Sequence, residues 1–381
     1  MTLRSLLAGA FMASCALAQF PKEGIPGPCT DLQARELAGV WIRQPDDVQE
    51  LATNGLTAPQ RAAMLQKSDK VLSILQQAYP NPRGLNVWNY RWAYRSRFKS
   101  LPVPLSTNLI FMKYWCYDSY RATGKPRLVL EQNSDAWVQV EFNHLGQALR
   151  GELPDGYELA SGAAIYWSPI ELGPEFRGVP TLKGTIEPAA TIVFLGKDNR
   201  LPLRPVTREE ILRLHANFWR TRKTEEIGKL ERDLARDRKL LAEHKPRPGQ
   251  SEESFARNEA TLKERIEHTT KLLAAANEES VSLPRKALAQ IEAMPPDQRS
   301  GQAVIAFINT HSYADLQFGP GSDRRPLWTM DEAYFGKGPR SAVYFMSVFW
   351  RRVPSQPAKE KAFDEFLANL DFPALRSLLD R

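Results

Sequence analysis

The segment from Arg208 to Glu279 constrains the fold more than any other: it carries sixteen basic and fifteen acidic residues in 72 positions, between stretches that read as strands. Thr207 and Glu210 have capping-box spacing, and Val206 and Ile211 sit where a hydrophobic staple would close. The helix they open is expected to run to about Glu243, roughly 54 Å at 1.5 Å per residue. Lys245-Pro246-Arg247-Pro248-Gly249 breaks it. Ser251 then caps a second helix expected to end near Glu279. Ile227, Leu230, Leu234 and Leu241 make a narrow apolar stripe on the first helix, and Phe255, Leu262, Ile266 and Leu273 make one on the second. Narrow stripes with charge elsewhere describe an antiparallel, coiled-coil-like hairpin, largely solvated. Between Trp219 and Phe307 the single aromatic residue is Phe255, so the hairpin is expected to project from the core.

Outside that segment the period is mostly two. Trp88, Tyr90, Trp92 and Tyr94 alternate with Asn89, Arg91, Ala93 and Arg95, a strand pattern in strand-favouring residues. Further strands are expected at 109–117, 127–131, 136–143, 157–167, 191–195, 303–308 and 341–353. Helices are expected at 58–79, capped by Thr57 and stopped by Pro80 and Pro82, and at 357–370, with a last turn after Pro373. Strands this close in sequence, without intervening helices, favour antiparallel pairing. The fold class is therefore α+β: a mainly antiparallel sheet with packed helices, interrupted by the hairpin. Residues 19–206 and 284–381 form the globular part and residues 207–283 the insertion.

The first eighteen residues read as a secretory signal: Arg4, an apolar run from Leu6 to Leu17, and Ala16-Leu17-Ala18 as the cleavage site. The run is too short to span a bilayer, which takes about 20 apolar residues. A lipoprotein signal at Cys15 is an alternative, although Met12-Ala13-Ser14 lacks the usual leucine. Either reading places the protein in the periplasm or outside the cell. Loss of the leader removes Cys15 and leaves Cys29 and Cys116, expected to form one disulfide in an oxidising compartment. No other run approaches bilayer length, so no membrane span is expected.

Charge is unevenly spread. Arg83 to Arg127 holds nine Lys/Arg and one acid, Asp118, whereas Glu131 to Glu187 holds nine Asp/Glu and three bases. The hairpin charges nearly balance, which argues against a polybasic nucleic-acid arm. Catalytic and cofactor signatures are missing: there is no Gly-x-Ser-x-Gly, His-Glu-x-x-His, Walker loop or Gly-x-Gly-x-x-Gly, and two cysteines with five scattered histidines give no zinc spacing. His215, His244 and His268 fall on the hairpin and read as packing or solvated residues. His144 and His311 fall at strand ends, where Ser161 or Ser312 offers no selected partner.

The basic, aromatic segment is the main functional lead. Arginine forks attract anionic groups, and aromatic faces stack on sugars or bases. Strand alternation places Arg91, Arg95 and Arg97 on one face, opposite Trp92 and Tyr94. The expected function is non-catalytic binding of an anionic or saccharide envelope ligand through Arg91, Arg95, Arg97, Trp88 and Tyr90, with no cofactor and no metal. The opposing view of the same segment makes the aromatic row core and the arginines its wet face. Two other functions stay open: an envelope-directed hydrolase using a carboxylate pair among Asp155, Glu158, Glu171 and Glu175, and a structural protein that meets a protein partner through the hairpin.

Overall fold

The computed structural model describes residues 25–27, 29–95, 101–117, 125–145, 149, 153, 157–159, 163–167, 171–183, 190–246, 248–306, 316, 318–319 and 324–380. The segment expected to be a leader, with its expected cleavage site, lies outside the described residues. The chain runs through β1 (Ile25–Pro26), α1 (Asp31–Glu36), β2 (Trp41–Arg43), α2 (Glu50–Thr53), α3 (Ala58–Ala78), β3 (Leu85–Ala93), β4 (Leu105–Tyr117), β5 (Arg127–Leu130) and β6 (Trp137–Phe142). It continues with β7 (Ile165–Tyr166), β8 (Glu171–Phe176), β9 (Val179–Lys183), β10 (Ala190–Leu195), β11 (Leu203–Pro205), α4 (Arg208–Ala242), α5 (Glu252–Ala293) and α6 (Pro296–Ser300). Then come β12 (Val304–Ala306), β13 (Arg324–Pro326), β14 (Trp328–Met330), α7 (Glu332–Phe335), β15 (Met346–Arg351), α8 (Pro357–Asn369) and α9 (Phe372–Arg376). The fold is α+β, and the described strands pair antiparallel except β2 with β3, whose parallel pairing is continued by an isolated bridge between Asp47 and Trp92.

The main sheet orders its central strands β3-β4-β6-β15-β10-β9-β8. One face buries Leu85 and Val87 of β3, Leu109 and Phe111 of β4, Val138 and Val140 of β6, and Val348 and Trp350 of β15. Helices α3, α8 and α9 cover this face with Met64, Val71, Leu75, Phe363, Phe366 and Phe372. Each such side chain contributes about 1.5–3 kcal/mol by leaving water, so these residues decide which face of each strand turns inward. The opposite face is apolar at one end, where Ile192, Phe194 and Phe349 pack with Phe335 and Phe345. At its other end it carries aromatic and polar side chains. A further core joins the roots of the hairpin to the small sheets: Ile211, Leu212, Phe218 and Ile291 pack with Val206, Ile305 and Leu327.

Thr207 and Glu210 make the expected capping box, and Ser251 accepts the Ser254 amide. Along the hairpin the seam positions recur three and four residues apart: 223, 227, 230, 234, 237 and 241 are shielded on α4, and 255, 259, 262, 266, 269, 273 and 276 on α5. Two ion pairs fix the register. Lys223 Nζ lies 2.5 Å from Glu279 Oε2, and Arg265 Nη2 donates to Asp237 Oδ1 at 2.6 Å. From one pair to the next the chain advances two heptads on α4 and retreats two on α5.

Three expectations need correction. The second hairpin helix does not stop near Glu279. It continues through Pro284 to Ala293, because Ala287 and Ile291 prolong the buried stripe and their packing offsets the hydrogen bond that proline cannot make. Among the described residues of the strand expected at 157–167, ladder pairing occurs at Ile165–Tyr166. Tyr157 turns inward instead, with its hydroxyl 2.6 Å from His215 Nδ1. The β8–β9 hairpin was hidden by Gly173 and Pro174 in its first strand. Its turn, Arg177-Gly178, has φ values of 52° and 76°, the left-handed pair that matches strand twist.

His215 is a packing residue, 1 % exposed. The Trp219 indole N–H lies 3.2 Å from His215 Nε2 and can only donate. Nε2 is therefore bare, and the ring proton sits on Nδ1, facing Tyr157.

Candidate functional site

Cross-strand register assembles the polar end of the open sheet face. Tyr90 lies opposite Asn108, which lies opposite Gln139. Trp92 lies opposite Ser106, then Glu141, then Ser347. Trp88 begins a third row that passes through Ile110 to Trp137. Period-two alternation puts all of these side chains on the face away from α3 and α8.

The aromatic row is neither core nor fully wet. Trp88 and Tyr90 are half-buried, and Trp92 is 46 % exposed. Beneath them Asn108 and Gln139 are 3 % and 7 % exposed. Asn108 Oδ1, Gln139 Oε1, Trp88 Nε1 and Trp137 Nε1 are buried without hydrogen-bond partners. The Asn108 amide nitrogen lies 2.8 Å from Ser106 Oγ, so whichever way that amide is turned one of its polar ends has no partner. An unsatisfied buried polar atom costs about 1–3 kcal/mol. Four of them lie on one patch of one sheet face.

Beside the amides lies a charged group that is fully satisfied. Glu141 is 1 % exposed. Tyr94 donates its hydroxyl to Oε1 at 2.6 Å, His144 Nδ1 lies 3.2 Å from the same oxygen, and Ser347 Oγ lies 3.2 Å from Oε2. The Tyr94 ring stacks on the His144 ring at 4.1 Å. Burial raises the Glu141 carboxyl, but the neighbouring His144 ring and the hydrogen bonds from Tyr94 and Ser347 outweigh it and hold the group below its ordinary value. Burial, then the charge of Glu141, pushes Tyr94 well up. The carboxylate thus stays ionised and occupied, an anchor for the loop after β6 rather than an acid or base. Asn143, at φ 53°, turns the chain there, and its amide holds Ala342 O and the Tyr344 amide.

Arg91 does not stand on a wet face, which corrects the sequence reading for that residue. Arg91 lies on the α3 side with Leu85, Val87 and Ala93, because those apolar residues decide which face of β3 is buried. Its guanidinium is taken by Asp46, at 2.6 Å, and Asp69, at 2.9 Å, and its side chain is 15 % exposed. Burial raises the Asp46 carboxyl, but hydrogen bonds from Arg91 and Arg43 outweigh this and leave it lowered. Arg91 is therefore a structural ion pair with no fork left for an incoming anion. Arg95 is exposed just beyond the end of β3. Arg97 lies outside the described residues.

Of the carboxylates considered for hydrolysis, Glu171 and Glu175 are exposed on the edge strand β8, Glu158 is half-buried, and Asp155 lies outside the described residues. His311, Ser161 and Ser312 also lie outside them. No group of three His, Cys, Asp or Glu side chains suited to a metal occurs among the described residues, and no described helix is long and apolar enough to cross a membrane. Asn108, Gln139 and Glu141 were missed as site residues. Their signal was legible: Gln139 and Glu141 alternate with Val138, Val140 and Phe142, which is a polar row in the strand expected at 136–143. No family model, curated protein or solved structure matches the chain.

Proposed function

We propose that this is an exported, non-catalytic binding protein that holds a saccharide on the aromatic–amide face of its sheet. The observation that carries the reading is the pair of buried, unpartnered amides, Asn108 and Gln139, beneath Trp88, Tyr90 and Trp92. Sugar hydroxyls both donate and accept, so they satisfy amide ends of either orientation. Aromatic faces suit the apolar C–H faces of pyranose rings, and a few placed polar groups among apolar walls are the usual make-up of a ligand site. The patch from β3 to β6 spans two strand spacings and four residues, about 10 by 13 Å, room for two or three sugar units. The commitment of Arg91 to Asp46 and Asp69 favours a neutral saccharide over an anionic one at this face.

Export rests on the N-terminal pattern and on the Cys29–Cys116 disulfide, a bond that persists in oxidising compartments. An envelope glycan is then the natural ligand class. The test is calorimetric titration of the folded protein with soluble oligosaccharides of envelope glycans. Trp88→Ala and Gln139→Ala should each weaken binding by roughly 10-fold or more, since a stacked ring is worth about 1–3 kcal/mol. Arg95→Gln should change little, and raised salt should leave binding intact. Folded Trp88→Ala and Gln139→Ala variants that bind as tightly as wild type would remove this face as the site.

A further inference from the structure

A second candidate site lies on the other side of the main sheet. A cavity of about 800 Å³ opens between the β8–β9 turn, the segment joining β10 to β11, and α9. Its lining includes Arg177, Lys197, Asp198, Tyr344, Phe372 and Arg376. We propose that it binds a small anion carrying an apolar ring: the carboxylate or phosphate on Arg376 and Lys197, the ring against Phe372 and Tyr344.

Arg376 carries the argument. Among the described residues its buried Nε has no hydrogen-bond partner, and its Nη2 reaches Asn199 Oδ1 alone, at 3.4 Å. Guanidinium is charged at every physiological pH and presents Nε and Nη2 as one edge that matches two oxygens of a carboxylate or phosphate. A desolvated, charged donor left open costs more than a neutral one, and an anion in the cavity removes that cost. The other cations divide into used and unused. Arg177 is used: its Nη1 donates to Leu367 O and to Leu370 O, and the guanidinium lies over Phe372 at 5.8 Å. Lys197 is exposed and makes no ion pair among the described residues.

Two carboxylates also line the cavity. Asp380 is already engaged, by Lys67 and by the Val343 amide. Asp198 is the one competitor, exposed beside Lys197. Of the four described non-glycine residues at positive φ, three line this cavity: Arg177, Asp198 and Asn199. Left-handed backbone is tolerated by Asp and Asn and costs more at Arg. The apolar walls exclude a bare, fully hydrated ion as the best fit, because Phe372 and Tyr344 gain nothing from it.

The test titrates the full chain with phenyl phosphate, benzoate, inorganic phosphate and benzyl alcohol, read by calorimetry and thermal shift. Phenyl phosphate or benzoate should bind more tightly than inorganic phosphate and benzyl alcohol. Arg376→Gln should weaken that binding by about tenfold or more, Lys197→Gln should weaken it less, and Asp198→Asn should tighten it. Trp88→Ala should leave it unchanged, which separates this cavity from the saccharide face. Wild type that binds neither aromatic anion, or a folded Arg376→Gln variant with wild-type affinity, overturns the proposal. So does loss of binding in Trp88→Ala. If Arg376→Gln does not fold, the opposite shifts of Lys197→Gln and Asp198→Asn decide, and the absence of both sinks the idea.

Discussion

Glu141 gathers a phenol, an imidazole and a hydroxyl around one buried carboxylate, and the sign of its titration follows. Its folded pKa lies below the ordinary value near 4.5, so its ionised form contributes stability in full above about pH 4.5 and loses it as pH falls through the folded value. Glu141→Gln keeps the size and loses the charge. It should be less stable than wild type by about 1–3 kcal/mol at pH 7, with the gap closing as pH is lowered from 5 toward 3. Urea melts across that range measure it, and a gap independent of pH would show that the charge is not what holds the cluster. Residue identity was legible here and partnership was not. The alternation around Gln139 and Glu141 marks a polar strand face, but nothing local in the sequence says that Tyr94 and Ser347, 47 and 206 positions away, meet the same carboxylate. Arg91 was misplaced for a related reason. Arg91 has its partners on other elements, Asp46 and Asp69, and a strand pattern alone cannot show that an arginine will be paired on the covered side.

The long helices were the most legible elements. Capping boxes at Thr57 and Thr207 and the cap at Ser251 are all observed, because capping is decided within four residues. Short strands such as β11, β13 and β14 were missed, since three residues carry too little period to read. At 35 and 42 residues, the hairpin helices extend about 52 and 63 Å at 1.5 Å per residue. Between Trp219 and Leu288 neither helix supplies a residue to the described hydrophobic clusters. Replacing residues 222–276 by a short linker should therefore leave a protein with a cooperative melt and the core near-ultraviolet signal. A chain that fails to fold without the arm would show that Lys223, Asp237 and their partners support the body as well as each other.

At the scale of the whole molecule, the Cys29–Cys116 bridge ties the segment before α1 to the far end of β4 across 87 positions, with its Cα atoms 5.7 Å apart. Closing so long a loop in the unfolded chain is worth about 4 kcal/mol in the chain-entropy account. Reduction should lower the melting temperature by several degrees without erasing the sheet, because β4 keeps its pairings with β3 and β6. Equal melts with and without reductant would mean the bridge adds nothing. The position of β15 imposes an order in time. It lies between β6 and β10, yet comes from residues 346–351, after every other strand. As the chain is delivered from its N-terminus, β3, β4 and β6 can pair early and the helical arm can zip on its own, while a vacancy one strand wide persists in the middle of the sheet. Residues from both halves, Glu141 and then Ser347, close over it only when that late strand arrives. The polar face is thus finished only after the helical arm has been made.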